Sequence, residues 1–210
     1  MSAAHDFRVT MSSGEFKAVK EQFAPAHLFH VKEAMIMLSK KMLKALNKQI
    51  QEELYSGYLY LAMSAYLTDQ NLNGFATWMR MQAREEDSHA MKIYQYIIEH
   101  NGQPLVPELQ KPPRDFKGPA DIFKQALDHE RHITACINDL VDLAQKEKDK
   151  ATESFLQWFV DEQVEEENQV VEVIKQLNIV KDDGPGLWML DQEMGQRTFT
   201  PLPGIENRMV

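Results

Sequence analysis

The sequence predicts an all-α protein: a four-helix bundle with one long crossover and a short fifth helix. Three observations carry that prediction. Proline and glycine are nearly absent from 38–101 and from 120–178, Gly57 and Gly74 excepted. They gather instead in 102–119 (Gly102, Pro104, Pro107, Pro112, Pro113, Gly118, Pro119), at 184–186 and at 201–204. Each uninterrupted block also holds one internal stop-and-restart signal, so each reads as a helical hairpin.

In the first block Ser39 caps a helix running to about Thr68, and Asn71-Leu72-Asn73-Gly74 reads as the turn. A second helix runs to about His100, stopped by Asn101-Gly102, a left-handed terminator. Pro119 takes a favoured first-turn position in a third helix that ends near Lys148. Asp149 or Thr152 caps a fourth, ending near Asn178. Each helix is ~40–46 Å long at 1.5 Å per residue. Leu187 to Gln196 forms the short fifth. The topology follows from the connections. Short links make helices one and two, and three and four, antiparallel neighbours, whereas residues 103–118 can stretch ~50 Å and return the chain along a whole helix.

The first 36 residues differ. They hold four bases and four acids and no apolar run of the signal-peptide kind. A weak helix over Gly14 to Phe23 is expected. Lys32-Glu33 can be encoded AAGGAG, a bacterial ribosome-binding sequence, three codons before Met37. Residues 1–36 therefore read either as translated upstream sequence, with Met37 the natural start, or as a genuine extension. Residues 37–196 form the bundle and its fifth helix, and 197–210 a tail.

Composition excludes much. At 210 residues and 24.3 kDa, the chain holds one domain with a modest appendage. It is 43% hydrophobic and 26% charged, which disfavours wholesale disorder, and no apolar run approaches the ~18 residues of a spanning helix. A net charge of -9 favours cations over nucleic acid as partners. The single cysteine, Cys136, excludes an internal disulfide framework and a cysteine-based zinc site, and fits a reducing cytoplasm.

The informative residues are polar ones on apolar stripes. On helix one the stripe runs Leu43, Leu46, Ile50, Gly57, Leu61, with Glu53 inside it. On helix two it runs Phe75, Met79, Ile93, Ile97, and Glu86 and His89 occupy the middle. Glu130 interrupts Phe123, Leu127, Ile133, Ile137, Leu140 on helix three. Gln163 and Glu166 interrupt Phe155, Phe159, Val170, Val173, Leu177 on helix four. Every helix thus carries a carboxylate at mid-length on its core face. Isolated buried carboxylates cost several kcal/mol each, and four at one level repel unless cations neutralise them. Four Glu, one His and one Gln suit iron or manganese better than structural zinc, and two divalent ions balance four carboxylates. Glu86-x-x-His89 alone is weak, since seven histidines in a Glu-rich chain meet that spacing by chance; the conjunction on four helices carries the weight. Glu162, Glu165 and Glu166 share one side of helix four, and Glu85 can face them to form a third, looser cation site. Tyr60 lies two turns beyond Glu53, placed to donate an electron or bond a ligand, or simply to pack. Trp158 and Met63, Met79, Met81 and Met91 read as packing, and no role is given to His5, His27, His30, His129 or His132.

Met37-Leu38-Ser39, Glu52-Glu53-Leu54-Tyr55-Ser56, Ala83-Arg84-Glu85-Glu86-Asp87-Ser88-His89, the run from Phe155 to Glu167 and Gly186-Leu187 together resemble the non-haem bacterial ferritins over 37–196. The resemblance implies a ferritin-like bundle assembled as a 24-subunit hollow cage. Such subunits oxidise Fe2+ to Fe3+ with O2 or H2O2 at an intra-subunit di-iron site and deposit ferric mineral inside. It implies two irons per subunit: one at Glu53, Glu86 and His89, the second sharing Glu86 with Glu130 and Glu166. Gln163 stands near the oxygen-binding region, Glu85, Glu162, Glu165 and Glu166 resemble a third site, and Tyr60 matches the tyrosine beside the centre. Where related bacterioferritins repeat Glu-x-x-His on helix four, this chain has Gln163-x-x-Glu166, and Asp87 stands where they have a haem methionine, so no haem is expected. Two rivals remain at this level: a di-iron peroxidase of the rubrerythrin kind, disfavoured by the missing Cys-x-x-Cys, and a non-enzymatic acidic bundle that buffers cations.

Overall fold

The computed structural model describes residues 38–181 and 183–202, and among them it holds five helices and no strand: α1 Lys40–Asp69, α2 Asn73–Glu99, α3 Pro119–Glu147, α4 Lys150–Val180 and α5 Gly184–Met194. The expected helix over Gly14 to Phe23 and the start at Met37 lie outside the described residues, as does most of the tail.

Local chemistry sets the boundaries. The Ser39 hydroxyl accepts from the Met42 amide at 3.0 Å and starts α1. Asp149, not Thr152, caps α4, its Oδ1 accepting from the Thr152 amide at 3.0 Å, and Asp183 caps α5 through the Gly186 amide at 2.7 Å. Each such cap contributes ~1 kcal/mol. Because Asp183 starts α5, that helix begins three residues earlier than the sequence suggested and ends two earlier, at Met194. Asn101, with φ 57°, supplies the left-handed residue after α2, and the Gly102 amide closes back onto the Ile97 carbonyl at 2.8 Å. Gly118 precedes α3 with φ 108°, a conformation that side chains resist, and Pro119 follows it into the first turn.

The first turn is shorter than expected, because Asn73 and Gly74 already belong to α2. The reason lies far along the chain. Buried Asp191 on α5 accepts from the amides of Gly74 at 2.8 Å and Phe75 at 3.0 Å, capping α2 from outside. A Cβ on Gly74 would overlap the Asp191 carbonyl oxygen, so glycine stands there for close approach rather than for turning.

α1 packs along α2 and α3 along α4, α1 also meets α3, and α5 rests against α2 and α4. The crossover runs the length of α1. Asn47 bonds the Leu105 amide at 2.6 Å, Gln51 holds the Glu108 carbonyl at 2.7 Å, and near the other end Phe116 is buried edge-on to Tyr66. The predicted long crossover is therefore present.

The core is two apolar clusters. One holds Leu46, Ile50, Ile93, Ile133 and Phe159, the other Leu59, Met63, Ala83, Ala126 and Val170. On all four long helices the predicted site residues Glu53, Glu86, His89, Glu130, Gln163 and Glu166 fall between members of the two clusters. The predicted stripes hold with one correction: Leu61 is 51% exposed and points away from the core, because Gly57, Tyr60 and Met63 hold the inward positions on α1.

Candidate metal centre

The layer between the two apolar clusters contains Glu53 from α1, Glu86 and His89 from α2, Glu130 from α3, and Gln163 and Glu166 from α4, none more than 5% exposed. One ligand atom each from Glu53, Glu86 and His89 lies within 4.8 Å of the other two, and the same is true of Glu86, Glu130 and Glu166. The two triads share Glu86. This convergence follows from periodicity: every residue sits on the inward stripe of its helix, at a depth where the partner helices present theirs.

Amides and hydroxyls orient the acids. Gln49 donates to Glu53 at 3.0 Å, and Gln82 donates to Glu86 at 3.1 Å and to Glu166 at 2.5 Å. Gln163 reaches Glu130 at 3.2 Å, and the Tyr60 hydroxyl donates to the other oxygen of Glu130. The His89 ring turns Nδ1 to Glu86 at 3.4 Å and Nε2 outward to Glu162 at 3.8 Å, with its edge against Trp158 and Phe159. Glu53 Oε2 is buried with no hydrogen-bond partner among the described residues. An unsatisfied buried carboxylate oxygen is costly unless a cation fills it.

Electrostatics state the same need. Burial, reinforced by the charge of Glu86, pushes Glu53 and Glu130 each up to about 8. Burial and the charges of Glu86 and Glu130 raise Glu166 well above its usual range. Burial pulls Glu86 upward too, but the bond and charge of His89 and the Gln82 amide outweigh it and leave that acid below its usual value. Desolvation works against a charged His89, yet Glu162 and Glu86 overcome it and hold the ring protonated well above its ordinary range. Burial and Glu130 raise Tyr60 strongly. Without metal, then, protons hold the cluster together, and divalent ions would replace them.

Beside this layer lies a looser one. Glu162 joins His89 and Glu166 in a third set of ligand atoms within 4.8 Å of one another. Glu85, Glu162 and Glu165 line a cleft of about 400 Å³ with His89 and the tail from Arg197 to Leu202. The ten predicted site residues thus lie in these two adjoining layers, but Glu85 and Glu165 line the cleft without joining any of the close sets of ligand atoms among the described residues. Sequence reasoning missed Gln49 and Gln82, whose signal was a buried amide four residues before each of two ligand acids. It also missed His129, which bonds Ser56 at 2.8 Å and sets its edge toward Tyr60, and Arg197.

A four-helix bundle with a long crossover and inward acids on all four helices, one pair spaced Glu-x-x-His, defines the class of carboxylate-rich ferritin-like proteins. The chain belongs to the ferritin family: a model described as the ferritin-like domain matches residues 43–180. It is 39% identical over 161 residues to the bacterial non-heme ferritin of Bacteroides fragilis, covering 77% of this chain and 100% of that one. It is 39% identical over 163 residues to that of Staphylococcus aureus, covering 78% and 98%. Among solved structures, an open pore ferritin from Archaeoglobus fulgidus matches with TM-score 0.76 and 41% identity over 77% of this chain and 99% of that one. A closed form of that ferritin, engineered by site-directed mutagenesis, matches with TM-score 0.77 and 42% identity over 78% and 99%.

Proposed function

We propose that this chain stores iron, oxidising Fe2+ to Fe3+ within each subunit and passing the product to the hollow of a homo-oligomeric cage. The observation that supports this most strongly is the pair of buried triads sharing Glu86. Glu53, Glu86 and His89 hold one Fe2+, and Glu86, Glu130 and Glu166 the other. Each gives one electron, and the two electrons with two protons reduce O2 to H2O2, or H2O2 to two waters, the oxidant approaching by Gln163. Four carboxylates balance the charge of two ferrous ions, and the proton on His89 and those on the raised acids leave as metal enters. Oxygen ligands exchange readily, so oxidised iron moves on toward Glu162 and the outer cluster rather than staying resident. Tyr60, bonded to Glu130, is placed to supply a further electron.

Exposed Leu61, at 51%, and Trp188 and Met189, at 64% and 67%, mark apolar surface that assembly would cover. Twenty-four copies of a 24.3 kDa chain come to roughly 580 kDa. No described helix is long and apolar enough to cross a membrane. The setting proposed is the cytoplasm, with Cys136 reduced. Aerobic addition of Fe2+ to the apo-protein tests the reading, followed by absorbance and native mass. Saturable oxidation at two irons per subunit within a large assembly is expected; oxidation no faster than in buffer overturns it.

A further inference from the structure

The tail brings its own cation to the outer cluster. Arg197 Nη2 meets Glu85 Oε2 at 2.5 Å and donates to Gln169 at 2.8 Å, while the guanidinium carbon lies 4.1 Å from the Trp78 ring centroid. Further along, Phe199 seats against Arg84 at 4.2 Å. Residues 197–202 form one wall of the cleft whose other walls carry Glu162, Glu165 and His89. The family resemblance assigns Glu85 to a third metal position, but the close set of ligand atoms there is His89, Glu162 and Glu166 without it, and its carboxylate is taken by a guanidinium instead.

We propose that Arg197 sets the occupancy of the outer metal position: its guanidinium competes with metal for Glu85, so a third ion binds only by displacing the tail. The inference rests on reading the buried triads as a two-ion site. The competitor is a side chain carried by the tail, so lifting it is a movement of the chain. The pairing is also incomplete, since Arg197 Nη1 is buried without a hydrogen-bond partner among the described residues. A guanidinium with one unsatisfied nitrogen is easier to release than a fully bonded one. Arg197 is thus a residue that ranks the outer position below the inner pair and ties its filling to the conformation of the tail.

Titration of the full apo-chain with Zn2+, which is not oxidised, tests this by calorimetry. The wild-type chain is expected to bind two ions per subunit tightly and a third weakly. Arg197→Gln should tighten the third about tenfold, as expected for loss of a close charge competitor, and leave the first two unchanged. Glu85→Gln should abolish the third in either background. A chain ending at Gln196 should behave as Arg197→Gln does, which keeps the test decisive if the point variant folds poorly. A third affinity that stays the same or weakens in both variants overturns the role of Arg197 while leaving the inner pair intact. Fewer than two ions on the wild-type chain instead overturns the two-ion reading, and this inference with it.

Discussion

The inner and outer acid clusters lie side by side yet solve the same electrostatic problem differently. Glu53, Glu86, Glu130 and Glu166 are at most 2% exposed and take their bonds from amides, a phenol and one imidazole. Burial favours protons on Glu53, Glu130 and Glu166, whereas Glu86 stays charged beside a protonated His89. Glu85 and Glu162, with side chains 22% and 26% exposed, keep contact with water, and Glu85 is answered by an arginine of the same chain. The contrast teaches that depth biases which counter-ion a carboxylate keeps and that a buried neighbour such as His89 overrides it. Three of the deep acids hold protons, which divalent metal would displace at a cost set by pH. Shallow acids hold a side chain, which metal displaces at a cost set by the chain's own packing.

The contrast breaks most sharply at Glu86. Glu86→Ala removes the acid common to both triads, and the fast phase of Fe2+ oxidation in stopped-flow absorbance should fall by more than ~100-fold, beyond what loss of an orienting residue costs. An unchanged fast phase would refute the inner site. The next effect is on pH. Glu53 and Glu130 rise from an ordinary 4.5 to about 8 in the folded chain. Below about 4.5 both states hold these protons; between there and about 8 only the folded state does. Stability of the metal-free protein should therefore fall as pH climbs through that window. Metal binding at pH 7 should release at least these two protons per subunit and fewer above pH 8, as measured by calorimetry in buffers of different ionisation enthalpy. A proton count independent of pH would contradict the assignment.

Gln82→Leu sharpens the comparison further. It leaves Glu86 and Glu166 without their shared donor and should weaken inner binding about tenfold, with outer binding unmoved. Smallest is a control on a buried acid outside both clusters. Asp191→Ala should lower unfolding free energy by ~1–2 kcal/mol, the range for a lost helix cap, and leave metal stoichiometry unchanged. A change in stoichiometry would mean that α5 shapes the site more than its contacts indicate.

Most of the inner site was legible because helical periodicity makes burial predictable. An acid between Leu46 and Gly57, or between Ile133 and Phe123, has to face the core. The crossover was legible from length alone. What escaped were contacts joining distant parts of the sequence. Arg197 meets Glu85 across 112 residues, and Asp191 caps α2 across 117. The same blindness misplaced the start of α2, since nothing local explains a helix that begins at Asn73 without a side-chain cap of its own. Leu61 was misread because two successive four-residue steps, Glu53 to Gly57 to Leu61, turn ~80° round the helix, whereas seven residues from Glu53 reach Tyr60, which holds the inward place. Gln49 and Gln82 were passed over because an amide on an apolar face carries no charge to advertise it.

The clasp between Asp191 and the opening turn of α2 has a consequence for biosynthesis. The ribosome makes α2 long before it makes the carboxylate that completes that turn. Until then the amides of Gly74 and Phe75 have only water to bind, and the end of the ligand-bearing helix nearest the turn stays frayed. The opening turn of α2 is thus the last part of that helix to be completed, and only after α5 has been made and has docked.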